Sequence, residues 1–233
     1  MTLKDNLSFH IFSPEIQNTI NFLDTYLDTS FIIQLYGFRH NGYHNLNHID
    51  ELLKTLDTHQ TDISHEDTYK LKNEDLFALV CVIIFHDVIY IATEGDNEDK
   101  SAEIAQHYLR QISVNETQVK IIGDVIRDSK DHIPRFGDYK GGNRRNYLGQ
   151  LMFDLDFTPL GKSYNDFRDD GKRIFNEYSN TVSKEDFNKG RIQFLKSMFE
   201  KERIFNLDYF YNRYEVATRS NIQKEINERS KLL

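Results

Sequence analysis

Residues 77–87 read FALVCVIIFHD: nine uninterrupted apolar residues, then a histidine and an aspartate side by side. A run without polar breaks has no exposed face, so it belongs at the centre of a fold, as a buried helix or a buried strand. Val80, Val82, Ile83 and Ile84 are β-branched and lean toward strand. The length of the apolar stretch, residues 74–90, and the helical patterns on both sides favour a central helix. The dipeptide His86–Asp87 carries no weight alone, because 9 histidines and 22 aspartates in 233 residues produce about one such pair by chance. Its position does carry weight: two side chains able to bind a metal stand where the greasiest segment ends.

Helical periodicity extends outward from this segment. Upstream, Ile16, Ile20, Leu23 and Leu27 form one apolar stripe and Ile49, Leu52, Leu53 and Leu56 another. Downstream come Ile104, Ala105, Tyr108, Leu109 and Ile112, then Val119, Ile122, Val125 and Ile126 behind Asn115. Leu148, Leu151, Met152 and Leu155 follow, and Ser183 with Asp186 marks a helix start by a capping box. Only 3 prolines and 11 glycines interrupt the chain. The longest loop-like stretch, residues 127–147 (RDSKDHIPRFGDYKGGNRRNY), holds mixed charge, one proline and three glycines. No stronger boundary occurs, so residues 1–233 read as a single all-α domain.

The formal net charge of −8 disfavours an extended nucleic-acid partner, whose phosphates need clustered cations, and leaves room for a local basic pocket. Cys81 is the one cysteine and sits in the apolar run, which excludes an intramolecular disulfide. The first residues lack a secretory apolar region, and no stretch reaches ~18 uninterrupted apolar residues. The expectation is a cytoplasmic protein without membrane contact, with a homo-oligomer left open.

Two further segments could bring ligands to His86 and Asp87. In YHNLNHIDELL, His44 and His48 stand four apart near a helix start, a weak signal because residues of that kind also simply flank helix N-termini. In LGQLMFDLDFTPLG, Asp154 and Asp156 interrupt an apolar pattern. Buried carboxylates are costly unless paired or bound to metal, so a metal or a partner arginine would explain them. His48, His86, Asp87 and Asp156 together offer two imidazoles and two carboxylates, a set suited to Mn, Fe, Co, Ni or Zn, with Mg also admissible.

The ordered series YHNLNHI, FHDVIY, GDNEDKSA, KDHIP and DLDFTPLG, with the later EYSNTVSKEDFNKGR, resembles the HD superfamily of metal-dependent phosphohydrolases, in particular a bacterial branch of predicted HD phosphohydrolases. The resemblance covers roughly residues 35–205. It implies an HD-type helical bundle in which His48 matches the first metal ligand, His86 and Asp87 the doublet, and Asp156 the last, with Asp154 the alternative two residues earlier.

The resemblance further implies hydrolysis of a phosphate ester, and the chain's negative charge points to a small phosphorylated molecule such as a nucleotide. Asp96 or Glu98 could orient or deprotonate the attacking water, although a bland role at a helix N-terminus fits them as well. His132 could bind a second metal or protonate the leaving group. Lys130 and Arg39 could hold phosphate, and His44 could join the site or lie behind it. His10, His40, His59, His65 and His107 read as surface or structural. The LGKS at 160–163 is no phosphate loop, since position 156 is Asp where that motif needs Gly. Two other readings remain: an iron oxygenase on an HD scaffold, and a non-catalytic module that binds metal or nucleotide.

Overall fold

A computed structural model describes residues 1–39, 42–63, 70–131 and 144–233. The protein is all-α: the described residues contain eleven α-helices and no strand. The chain forms two compact units, Met1–His40 with His44–Met152, and Asn41–Tyr43 with Phe153–Leu233. Among the described residues, no helix is long and apolar enough to cross a membrane.

The first unit contains α1 (Leu3–Asn6), α2 (Pro14–Tyr26), α3 (Ser30–Gly37), α4 (Leu46–Asp62), α5 (Asn73–Phe85), α6 (Asn97–Gln111) and α7 (Glu116–Asp128). The apolar run is helical: α5 packs against α2, α4, α6 and α7. Residues 78–85 have no exposed surface, which accounts for a segment without an amphipathic pattern. Each large aliphatic side chain buried there contributes roughly 1.5–3 kcal/mol of transfer free energy. The stripes of α2 and α4 face inward as expected, with Ile16, Ile20, Leu23, Ile49, Leu52, Leu53 and Leu56 fully buried.

The helix ends obey local chemistry. Pro14 opens α2 at a position where a missing N–H costs nothing. Asn45 caps α4, its side-chain oxygen accepting from Asn47 N at 2.8 Å, and Asn115 caps α7 through Thr117 N at 2.9 Å. After α6 the chain turns through Ser113 at φ 59°. Ser113 N donates to Arg110 O and Val114 N to Leu109 O, both at 3.0 Å, the double closure of a Schellman turn. Serine holds there a left-handed conformation usually left to glycine.

Helix α8 (Arg144–Phe157) contains the division between the units, and α9 (Tyr164–Tyr178), α10 (Lys184–Phe199) and α11 (Asp208–Ser230) complete the second. Of the stretch expected as a loop over 127–147, α7 takes residues to Asp128, a 3-10 turn covers Ser129–Asp131 and α8 starts at Arg144, while 132–143 lie outside the described residues. Polar struts hold the second unit. Buried Glu215 accepts from Ile204 N and Phe205 N and pairs with Arg219 at 2.7 Å. That guanidinium in turn donates to the carbonyls of Phe199, Lys201 and Glu202. The glycine of LGKS has a packing reason: a Cβ at Gly161 would lie 3.0 Å from Thr218 Oγ1 and 3.1 Å from Tyr214.

Candidate metal centre

Helix α5 stops at Phe85, five residues short of the apolar stretch read from sequence, because the groups at its end tie off its last carbonyls. His86 N donates to Val82 O at 2.8 Å and Val88 N to Phe85 O at 3.1 Å. Between them, Ile83 O faces His86 Nδ1 at 2.9 Å and Ile84 O accepts from the Tyr36 hydroxyl at 2.9 Å. A carbonyl can only accept, so His86 Nδ1 carries a proton and Nε2 is the nitrogen that faces Asp87 and would face an ion. Fixing the tautomer from behind is the usual support of a metal-binding imidazole.

His48, on the second residue beyond the Asn45 cap's first helical position, is 3% exposed, and His86 is 2% exposed. Their ring centroids lie 5.6 Å apart. Asp87 Oδ2 stands 3.0 Å from His86 Nε2. One ligand atom from each of His48, His86 and Asp87 lies within 4.8 Å of the other two. Two ligands of an ion bound at about 2.1 Å stand about 3.0–3.4 Å apart when adjacent, so the three close on a metal with side-chain adjustments of up to roughly an ångström. Burial opposes ionisation of Asp87. The charges of His86 and His44, a hydrogen bond with His86 and the charge of His48 outweigh it and hold the carboxyl well below the usual carboxylate range. The residues therefore suit a divalent ion: a buried imidazole pair, one tautomer fixed, and an ionised carboxylate.

His44 precedes α4 rather than sharing its face. Its ring stacks on Tyr90 at 3.8 Å between centroids and meets His48 edge-on at 6.1 Å. The GDNEDKSA segment has a structural task that sequence reading missed. Asn97 at the start of α6 accepts from Ile91 N at 2.9 Å and donates to the carbonyls of Ile91 and Glu94. Ser101 Oγ accepts from Ile89 N at 3.1 Å and donates to Ile89 O. Both staple the chain that leaves the His86–Asp87 pair. Asp96 occupies the N-cap position of α6 without a side-chain capping bond, is exposed, and pairs with Lys100 at 2.9 Å. Glu98 is half-buried in the first turn. Lys130 is exposed and lies 3.7 Å from Asp99, which also faces Arg127 at 3.6 Å. His132, with His40 and His65, lies outside the described residues.

Asp156 is half-buried on the part of α8 that belongs to the second unit. Asp154, its rival as last ligand, is fully buried and engaged: Oδ1 accepts from Asn206 N and Nδ2, both at 2.8 Å, and Oδ2 from Leu207 N at 2.7 Å. Burial pushes its carboxyl up to about 7 against the pull of those donors. Asp154 is a strut that fixes the turn into α11.

The fold is thus all-helical, with buried His48 and His86 and half-buried Asp87 gathered at the end of its central helix. The solved structure of the Leishmania phosphodiesterase LmjPDEB1 in complex with IBMX has a similar fold, with a TM-score of 0.54 at 12% identity over 100% of this chain and 91% of that one. No family model and no curated protein matches the sequence.

Proposed function

We propose that the protein is a metal-dependent phosphohydrolase acting on a small phosphorylated molecule. The observation that carries the reading is the trio of buried His48, buried His86 and half-buried Asp87, mutually within 4.8 Å. The fold it shares with a phosphodiesterase supports the same chemistry. Asp156 is proposed as the fourth ligand on the strength of the HD resemblance, and the engagement of Asp154 with Asn206 and Leu207 favours that choice of the two.

A divalent ion held by these residues would supply Lewis acidity toward a phosphoryl oxygen and make water a competent nucleophile near neutral pH. The chain's own part is positional and acid–base. The Ile83 carbonyl keeps a proton on His86 Nδ1, so Nε2 is the nitrogen this ring would offer an ion in exchange for the proton it holds toward Asp87. Asp87 enters already ionised, so no proton has to leave it. Glu98 is proposed to take the proton of the attacking water, Asp96 being paired with Lys100, and His132 to protonate the leaving oxygen. The low exposure of both imidazoles keeps the surroundings dry and strengthens the local field. The chain's charge of −8 disfavours polyanions, so the substrate is expected to be small.

The test pairs metal analysis of the purified protein with turnover on a panel of phosphomonoesters, nucleotides and cyclic nucleotides. At least one divalent ion per chain and metal-dependent turnover of a small phosphate are expected. His86→Ala should remove both while leaving helix content intact. A wild-type protein that holds no divalent metal, or that cleaves long RNA in preference to every small phosphate, refutes the reading.

A further inference from the structure

Arg39, directly after α3, is half-buried, and two of its nitrogens, Nε and Nη2, are shielded from solvent without a hydrogen-bond partner. These two are not an arbitrary pair. Their N–H bonds point the same way along one edge of the planar guanidinium and form the fork that fits two oxygens of a phosphate or carboxylate. The position at the end of α3 and the rings below it explain why a cation sits here: its Cζ lies 4.8 Å from the centroid of Tyr36 and 6.0 Å from that of Tyr90. Neither explains why one hydrogen-bonding edge goes unused, because leaving charged donors dry and unpaired is among the costlier things a fold can do.

The same contacts link the fork to the metal residues. Tyr36, under the guanidinium, bonds through its hydroxyl to Ile84 O, two residues before His86. Tyr90, beside it, stacks on His44, whose ring meets His48. The cation is thus placed relative to both ends of the ligand trio by rigid aromatic rings within the first unit.

The geometry points to the Nε–Nη2 edge of Arg39 as the oxyanion clamp of the site, binding two non-bridging oxygens of a substrate phosphoryl group. Its assignment to a phosphoryl group rests on the phosphohydrolase reading, while the anion-binding edge stands on its own. The tight shielding of both nitrogens has a consequence: an anion seats there only after a side-chain movement opens the edge. The group that moves is the Arg39 side chain, whose Cζ lies 4.8 Å from the Tyr36 centroid.

Inorganic phosphate is the probe, titrated calorimetrically into wild-type, Arg39→Lys, Arg39→Ala and Lys130→Ala protein, each with metal loaded and with metal chelated. Losing a charge-assisted fork should weaken phosphate binding about tenfold or more in Arg39→Ala. Arg39→Lys should recover little, since an ammonium is a point charge without the fork. Lys130→Ala should stay within about twofold, as that side chain is exposed and faces Asp99. Circular dichroism and metal content confirm that the variants are folded, and if Arg39→Ala is not, Arg39→Lys decides. Unchanged affinity in a folded Arg39 variant, full recovery by lysine, a larger loss in Lys130→Ala, or no phosphate binding by wild type overturns the clamp. Arg39-dependent binding by metal-free protein that hydrolyses nothing would support the clamp and sink the hydrolase reading. Metal-dependent turnover untouched in Arg39→Lys would do the reverse.

Discussion

Two apolar helices of this protein finish in aspartates, and the two ends use them oppositely. Beyond α5, Asp87 meets imidazoles: His86 Nε2 lies 3.0 Å away and His48 completes a trio within 4.8 Å. In the last turn of α8, Asp154 meets N–H groups: three donors from Asn206 and Leu207 at 2.7–2.8 Å. Asp87 is drawn to the ionised form by neighbouring positive charge, and Asp154 is pushed toward the neutral form by burial. A buried acid at the end of an apolar run is therefore ambiguous in sequence. What decides its role is the complement: donors that use up its lone pairs make a strut, and other lone-pair bearers converging on it make a cation site.

Exchanging each aspartate for its amide tests this contrast, and the largest effect is expected at the first. Asp87→Asn removes a charge from the proposed ligand set, so bound metal and turnover should fall by orders of magnitude, while metal-free protein unfolds at nearly the wild-type temperature. Asp154→Asn should do the opposite. Its new NH₂ group must face either Asn206 or Leu207, leaving donor against donor in a dry place, at a cost of about 1–3 kcal/mol in denaturant unfolding with metal content kept. If Asp154→Asn sheds metal and Asp87→Asn only loses stability, the roles are reversed and the last ligand is misassigned.

Much of this was legible in the sequence. The run 77–85 reads as central because nothing polar breaks it and as helical from the length of the apolar stretch and its helical neighbours, and the α2 and α4 stripes repeat with helical period. The trio was legible only as candidates, since His44–His48 spacing and one His-Asp pair are each common. What escaped was determined by tertiary partners. The end of α5 at Phe85 depends on Tyr36, nearly fifty residues upstream, and on the His86 ring turned back on Ile83. The Schellman turn at Ser113 carries no glycine to announce it. Asn97, which reads as one of three polar residues at a helix start, is the staple of the 91–94 turn.

That staple gives the next effect in size. Asn97→Ala removes three hydrogen bonds from the segment after Asp87. Water can replace part of them in this exposed turn, so a stability loss of about 1–2 kcal/mol is expected, measured in urea. If the turn helps hold Asp87 in place, metal affinity should fall with it, by about 10- to 100-fold as for other supports of a metal ligand. A loss of stability with unchanged metal affinity would show that the pair at the end of α5 is held by its own helix alone.

The smallest expected effect is a drift with pH, and it sharpens the contrast from the side of Asp154. The Asp154 carboxyl is raised from 3.8 to about 7 by burial. A raised acid binds its proton more tightly in the folded state, so its stabilising contribution is complete below pH 3.8 and disappears as pH rises through about 7. Metal-chelated protein should accordingly lose some thermal stability between pH 5 and pH 8, with the metal's own pH dependence taken out of the measurement. Asp154→Asn cannot titrate, so this part of the slope should vanish in it even though the variant is less stable throughout. The three N–H donors oppose the drift by favouring the carboxylate, which is why the change is expected to be small. Stability that instead rises over this range in wild type but not in Asp154→Asn would mean that the donors from Asn206 and Leu207 outweigh burial, and that Asp154 is ionised in the folded protein as Asp87 is.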